Sequence, residues 1–496
     1  GCYVKARYVL ALMGFLGMVN VHCMRLNLSV AIVAMVNYTS SSMGDNTTIN
    51  SCQNQTLATL NSSTYQQTGQ FTWNPEQQGL LLGSYFYGYV LSNIPGAWLS
   101  KKFGFRLLVA IQIILGSIVT FLSPIAAKTS FELFFVPRVL LGMCQGGVAP
   151  SLVMAWGTWA PPSERSLLIS IPLSGSAAGA VISFPLAGVI AQYWGWEAVF
   201  YVTGGVAMIW CIVWLSLIHN TPMQHPRISD EERSFIAASI GADPPGEKVI
   251  ITKAHSKNYE TASLRLPQTV KQKTRTPWGS MLTSLPVHSI FISHFASNWS
   301  VYTLFTMLPT YMSTMLNFNV TASGMVSSVP FILQWVFTVA SGYISDVIIR
   351  RRIRSVVFVR KMNTAIGLFI PAFFVVLAGY VGCDVIAVVI FFSLSVAFGA
   401  FAVPGCKANA SDVSPKYGGI VFGISNTIAN MAGFLGPQVA GILLQQGNNL
   451  SQWQSIFWIS ACINTAGAFI YLVFATADEQ SWSKGKAIST PLDGRY

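Results

Sequence analysis

Residues 8–36 read YVLALMGFLGMVNVHCMRLNLSVAIVAMV. The run is about 29 mostly apolar residues, long enough to cross a bilayer with tilt, and Arg25 lies near its middle. It is too long for the apolar core of a signal peptide, and no small-residue cleavage site follows it, so it reads as a first transmembrane helix. A charge at that depth costs several kcal/mol on even the lenient insertion scales. Arg25 therefore needs a physical reason to be there.

Composition extends this reading to the whole chain. Of 496 residues, 52% are hydrophobic and only 9% charged, whereas soluble domains carry about 25% charged residues. The net charge of +12 does not form one basic patch with interleaved aromatics, which argues against a nucleic-acid partner. The positive residues sit in short loops between apolar runs, as in a multi-pass membrane protein. His-Glu-x-x-His, Cys-x-x-Cys and Gly-x-Ser-x-Gly patterns are absent as convincing signals, so neither an enzyme nor a metal centre is expected. The chain opens at Gly1 rather than Met, and some upstream sequence is expected.

Membrane-length apolar runs recur near 8–36, 79–100, 105–127, 131–156, 166–191, 197–219, 286–316, 323–345, 358–380, 385–411, 418–445 and 453–476. The expected architecture is an all-α membrane protein with twelve transmembrane helices in two six-helix pseudo-repeats. Its parts are an N-terminal half (1–219) with an outer loop (37–78), a linker (220–284), a C-terminal half (285–477) and a tail (478–496). Basic residues cluster after spans 2 and 8 (Lys101, Lys102 and Arg106; Arg350, Arg351, Arg352, Arg354, Arg360 and Lys361), and the loops after spans 1, 7 and 11 hold almost none. The positive-inside rule then puts both termini and the linker in the cytoplasm.

Asn-x-Ser/Thr acceptors agree, with Asn37, Asn46, Asn54 and Asn61 all in the first outer loop and Asn319 and Asn449 in other outer loops. Asn27 and Asn298 fall inside spans and are expected to be unmodified. Most cysteines lie in or beside apolar runs and are expected to pack as small hydrophobes. Cys52 and Cys383 fall in outer loops, either as a disulfide or as two free thiols. Within the linker, ISDEERSFIAASI (Ile228–Ile240) has a short helical pattern with Ser229 as N-cap and acids in its first turn.

The halves carry a weak internal repeat. GAWLSKKFGFR (Gly96–Arg106) follows span 2 and SGYISDVIIRRR (Ser341–Arg352) follows span 8. WAPPSERS (Trp159–Ser166) follows span 4 and SDVSPKYGG (Ser411–Gly419) follows span 10. These signatures resemble the major facilitator superfamily, whose Gly-x-x-x-Asp-Arg-x-Gly-Arg pattern is partly kept: Lys101 stands at the Asp position of the first copy and Asp346 keeps it in the second. RLNLSVAIVAMVN, GSYFYGYVLSNIPGAWL, HPRISDEER, LPTYM and GISNTIANMAGFLGP are similar to the anion-transporter family of sodium/phosphate cotransporters, sialin and vesicular glutamate transporters, over nearly the whole chain. The resemblance implies twelve helices, alternating access and transport of an inorganic or organic anion. It also implies that Asp346 and Arg350, with Lys101 and Arg106, form a cytoplasmic gate.

Three cations lie within spans: Arg25, Arg138 in FVPRVLLGMCQGG, and Lys407 in AVPGCKANASD. Such charges normally face the bundle interior, and without mid-span carboxylates they create a positive field suited to an anion. A guanidinium fork holds carboxylate or phosphate through two hydrogen bonds. The alternatives are that backbone carbonyls or Asn27 hold Arg25, that Arg138 snorkels or braces its helix, and that Lys407 pairs with Asp412. Asn298 and Tyr302, spaced i, i+4 on span 7, and Tyr85 on span 2 can add polar contacts or simply pack. Gln145 joins the candidate anion site at a position where the resemblance implies glutamate in proton-coupled members. Leu141 stands at another such position, and Asn409–Asp412 and Leu82 lack the family's histidines.

With few groups able to carry a proton, membrane potential or sodium is the expected driving force. His22, three residues before Arg25, is the candidate proton site, either in that role or as a neutral hydrogen-bonding ring. No cofactor is expected beyond sodium or a proton as coupling ion. The expected partners are a small anion and the lipid bilayer, for a monomer in the plasma membrane or a lysosomal or vesicular membrane. A sialin-like proton-coupled symporter is the rival reading, and a non-transporting receptor or scaffold the alternative from another class.

Overall fold

A computed structural model describes residues 4–37, 69–161, 164–240, 276–382, 384–445 and 449–484. The N-terminal half is built from α1 (Ala6–Met35), α2 (Pro75–Phe103), α3 (Phe105–Thr129), α4 (Phe131–Gln145), α5 (Val148–Trp159), α6 (Arg165–Trp194) and α7 (Trp196–Leu217). Two short helices follow, α8 (Asp230–Ile240) and α9 (Trp278–Leu282). The C-terminal half comprises α10 (Leu285–Thr314), α11 (Val320–Arg350), α12 (Val356–Ala378), α13 (Val385–Gly399), α14 (Asn409–Val413), α15 (Gly418–Asn430), α16 (Ala432–Gln445) and α17 (Leu450–Phe474). Pairing α4 with α5, α13 with α14 and α15 with α16 leaves twelve membrane-length units among the described residues, matching the twelve apolar runs.

Ten of those units are long and apolar enough to cross a membrane. The other two, α2 and α10, are as long but richer in Tyr, Ser, Asn and Thr. Both pack among other helices across the bundle, α2 against α4 and α16 and α10 against α1, α15, α16 and α17. Their polar side chains face protein rather than lipid.

Local chemistry sets the boundaries. Asn74 caps α2 in a reciprocal box with Gln77, and Pro75 occupies the first turn. Ser130, Asn319, Ser355, Asp384 and Asn449 cap α4, α11, α12, α13 and α17 through side-chain acceptors. Asn319 and Asn449, each the first residue of an Asn-x-Ser/Thr motif, are therefore N-caps. Asn37 pairs its backbone N–H with the Phe71 carbonyl. Asn46, Asn54 and Asn61, and Cys52 and Cys383, lie outside the described residues. Gly104 (φ 85°) makes the one-residue turn between α2 and α3, a conformation side-chain-bearing residues avoid.

One span is broken in a way that the sequence pattern did not show. After α13 the chain tightens into a 3₁₀ turn (Ala400–Ala402) and then widens into a π turn (Val403–Lys407), with Gly405 at φ −83°, ψ −112°. Pro404 has no N–H to continue the α-helical ladder, and the π turn changes the direction in which Lys407 and α14 are presented.

The halves meet along α2–α16 and α6–α11. Their shared contacts gather towards the end that carries the loop between α1 and α2. There Gly79 approaches the Pro437 carbonyl, Gly324 approaches the Phe184 carbonyl, and the Thr321 hydroxyl donates to the Gly188 carbonyl at 3.2 Å. Tyr87 stacks on Phe434 at 4.4 Å and is hydrogen-bonded by Gln438, and Phe184 meets Phe331 at 5.5 Å. A contiguous apolar core runs across both halves here, from Ile32 through Phe184 to Tyr311 and Phe457. At the opposite, linker end, Leu91, Ile94 and Trp98 of α2 and Val339 and Tyr343 of α11 are exposed.

Among the described residues, no ionic contact at the linker end joins the two halves. Arg7 bridges Glu164 (2.9 Å) and Glu232 of α8 (3.0 Å), and Glu232 also accepts from the backbone N–H of Ala6. Arg360 pairs with Asp412 at 2.6 Å. Asp346 reaches only Arg350, one turn along its own helix, at 3.8 Å with both side chains exposed. Arg106 donates to the Leu215 carbonyl, and Lys101 is exposed. The four residues expected at a gate therefore form no ion pair between halves in this conformation.

Candidate anion site

Arg25 faces an aromatic box formed by α2 and α10. Its guanidinium carbon lies 4.3 Å from the Phe86 ring, 4.9 Å from Tyr302 and 5.1 Å from Tyr85. Ring faces attract the cation but accept no strong hydrogen bond from it. The side chain is 9% exposed and its Nε is buried without a partner. Asn27 is not its partner: that amide accepts from Arg138 at 3.2 Å and donates to Thr203 at 3.2 Å.

Close packing places the box. α2 and α4 lie nearly backbone to backbone, with Gly142 against the Tyr85 carbonyl and Gly88 against the Val139 carbonyl. Across the seam, Gly433 leaves room for the Phe86 ring where a methyl group would overlap it. Tyr302 donates from its hydroxyl to Asn430 Oδ1 at 2.9 Å, while the Tyr85 hydroxyl is buried without a partner.

Arg138 has a different setting. Its donors reach the Arg25 carbonyl (2.9 Å), the Met24 carbonyl (3.4 Å) and Asn27, bolting α4 to α1, and the residue is 1% exposed. Gln145 lies beside Met24, its Nε2 at 3.9 Å from the Met24 sulfur. Neither residue is brought into the aromatic box. His22 packs on Gly179 of α6 and places Nδ1 3.0 Å from the Met18 carbonyl.

A second polar group stands in the C-terminal half. Lys407, presented by the π turn, donates to Asn298 Oδ1 at 3.1 Å. The alternative pairing with Asp412 is not formed, because Asp412 is held by Arg360. His294, one turn before Asn298, is buried, sets Nδ1 2.8 Å from the Ser425 hydroxyl and stacks on Phe422. Among the described residues, no group of His, Cys, Asp and Glu is placed to hold a metal ion, and no carboxylate pairs with Arg25, Arg138 or Lys407.

Structure thus joins Arg25, Tyr85 and Tyr302 in one group and Asn298 with Lys407 in another. Sequence reasoning missed Phe86, Asn430 and His294. A histidine within a span was a signal, and Asn430 lies in the quoted GISNTIANMAGFLGP, but Phe86 carried no mark beyond its apolarity.

The family follows from sequence and fold together. A profile of the Major Facilitator Superfamily matches residues 17–396 and 358–492. Human sialin is 36% identical over 480 residues, 97% of this chain and 91% of its own length. Bovine vesicular glutamate transporter 1 is 33% identical over 483 residues, 97% of this chain and 79% of its length. The fold matches a bacterial homologue of the human lysosomal transporter Spinster (TM-score 0.66, 15% identity, covering 95% and 97% of the two chains). It also matches a D-xylose–proton symporter (TM-score 0.64, 14% identity, 95% and 99%). This chain belongs to the Major Facilitator Superfamily. It is a multi-pass membrane transporter rather than an enzyme, and its relatives include sialin and the vesicular glutamate transporters.

Proposed function

We propose that the protein moves a small anion, bearing a carboxylate or phosphate, by rocking its two halves about the site at Arg25. The observation that carries this reading is a cation held in an aromatic box with no acid and no hydrogen-bond acceptor among the described residues. Such a group is half of an ion pair, and a bound anion supplies the other half. Lys407 and Asn298 provide a second pole from the opposite half, and Arg138 acts by positioning α1. Names of the relatives support an organic anion such as glutamate for the bovine transporter.

The linker end is read as cytoplasmic, together with both termini, and Asn37, Asn46, Asn54 and Asn61 as outer-loop acceptors. The conformation is then closed outside and open inside. Asp346, Arg350, Lys101 and Arg106 make their gate contacts in the opposite state. The working form is a monomer. Membrane potential or sodium drives the cycle, since the site lacks a carboxylate able to carry a proton.

Uptake by purified protein in proteoliposomes, with phosphate, glutamate and sialic acid offered separately, tests the reading. Sodium, pH and voltage are varied one at a time. Flux that requires Arg25 and follows voltage or sodium supports it. Flux that follows only the pH gradient favours proton coupling through His22. Flux unchanged in Arg25→Ala overturns the site.

A further inference from the structure

The seam between the halves covers only part of one face of α2. Gly83, Tyr87, Leu91, Ile94, Trp98 and Lys101 follow one another at intervals of three or four residues and so form a single ridge along the helix. α16 covers the first part of it: a Cβ on Gly83 would come 2.9 Å from the Phe434 Cα, and Tyr87 stacks on Phe434. Beyond Tyr87 the ridge is bare, with Leu91, Ile94 and Trp98 at 67%, 59% and 61% exposure. Behind it, a Cβ on Gly96 would come 2.4 Å from the Gly147 Cα, so close packing holds α2 with the bare stretch outward.

The chemistry of the ridge changes at its end. Three apolar side chains lead to Lys101 and Lys102, both exposed, and the Lys102 Nζ lies 5.4 Å from the Trp98 ring. Trp98, Lys101 and Lys102 line a surface hollow of about 270 Å³. Among the described residues, no carboxylate pairs with either lysine. α15 and α16, which α2 meets across the seam, contain no acidic residue that could answer them.

We propose that this stretch docks one anionic phospholipid, with an acyl chain along Leu91, Ile94 and Trp98 and its headgroup at Lys101 and Lys102. Leu91 to Trp98 spans about 10 Å of helix, apolar throughout on this face, and two cations follow. That order matches a molecule that is apolar and then negatively charged. Trp98 sits where indole rings prefer to lie, at headgroup level, and basic residues there attract anionic lipids. A zwitterionic headgroup brings an ammonium of its own towards the lysines and fits less well. The lipid occupies the gap into which α15 and α16 move when the linker end closes, so it favours the conformation open at that end. This last step rests on the rocking of the halves given above, whereas lipid binding itself does not.

The test is the thermal unfolding midpoint of purified, substrate-free protein in detergent micelles doped with phosphatidylserine or with phosphatidylcholine of the same acyl chains. Phosphatidylserine is expected to raise the midpoint saturably, with phosphatidylcholine flat. Lys101→Gln combined with Lys102→Gln should weaken the apparent phosphatidylserine affinity by about 25-fold, or about fivefold for each basic residue. Arg351→Gln combined with Arg352→Gln, in the other exposed basic cluster, should keep the wild-type response. Equal midpoints with the two lipids would overturn the proposal. A response that survives in the lysine variant, or is lost in the arginine variant, would place the lipid elsewhere and overturn it as well. A response to soluble glycerophosphoserine that the lysine variant removes would mark a headgroup site alone and overturn the acyl-chain track. Since no transport is measured, failure here leaves the Arg25 reading intact, and failure of that reading appears only in uptake.

Discussion

Arg138 donates to the main-chain carbonyl of Arg25 at 2.9 Å, so one intramembrane arginine holds the backbone of the other. The bond fixes α1 where its own side chain enters the aromatic box. It divides the labour between two residues of the same type: Arg138 spends both terminal nitrogens on α1, with only its Nε unpaired, whereas the Arg25 guanidinium meets rings alone and is available.

Arg25→Leu should therefore abolish uptake yet leave the substrate-free protein as stable as the wild type or more stable. Removing a buried, unpaired cation offsets the lost ring contacts, each about 1 kcal/mol. Arg25→Lys should lose uptake too, because an ammonium lacks the planar fork. Uptake and thermal midpoint measured on the same preparations check both, and a sharp fall in the midpoint for Arg25→Leu would contradict the unpaired assignment.

Arg138→Ala should behave oppositely. Three buried acceptors on α1 lose their charged donor, a cost of about 3 kcal/mol. The midpoint and the yield of folded protein should fall together, before any change in substrate affinity can be read.

Tyr302→Phe keeps the ring over Arg25 but removes the 2.9 Å bond to Asn430. A neutral hydrogen bond contributes about 1 kcal/mol, so the apparent KM should rise about fivefold with the fold unchanged. Asn430→Ala should match it, and the double variant should be little worse than either single one.

Gly433→Ala places a methyl group inside the Phe86 ring. The ring must move towards Arg25 or the seam must part, so uptake should fall. Adding Phe86→Leu should restore part of it, and a purely local helix effect at residue 433 would show no such rescue.

At the linker end, Arg7 hydrogen-bonds Glu164 and holds its carboxyl below the usual 4.5, with Tyr8 and Lys5 adding to the effect against some desolvation. A depressed carboxyl contributes stability above its ordinary value and loses it as pH falls through the folded one. The thermal midpoint should thus decline on acidification below about pH 4.5, and Glu164→Gln should flatten that part of the curve.

Twelve apolar runs were plain in the sequence because bilayer thickness sets a length that composition alone reveals. Arg25 and Arg138 were plain because intramembrane charge is costly. Their different roles were not, since both carry the same signal and only the carbonyls of α1 separate them. Pairing of Lys407 with Asp412 was an open alternative in the sequence, but the π turn that ends at Lys407 sets where that side chain is presented. Lys407 then meets Asn298, and Asp412 meets Arg360. Phe86 stayed hidden because Gly433, which makes room for it, belongs to the other half of the chain.

The lack of an acid beside Arg25 has an electrical consequence. The vacant carrier holds Arg25, Arg138 and Lys407 at its centre without a paired carboxylate among the described residues, and a monovalent anion lowers that positive charge by one. A potential of 100 mV does about 2.3 kcal/mol of work on each charge moved across the full membrane. Voltage therefore acts more strongly on the return stroke of the vacant protein than on the loaded stroke. The rate of net flux is then limited by how quickly the protein resets once its cargo has left.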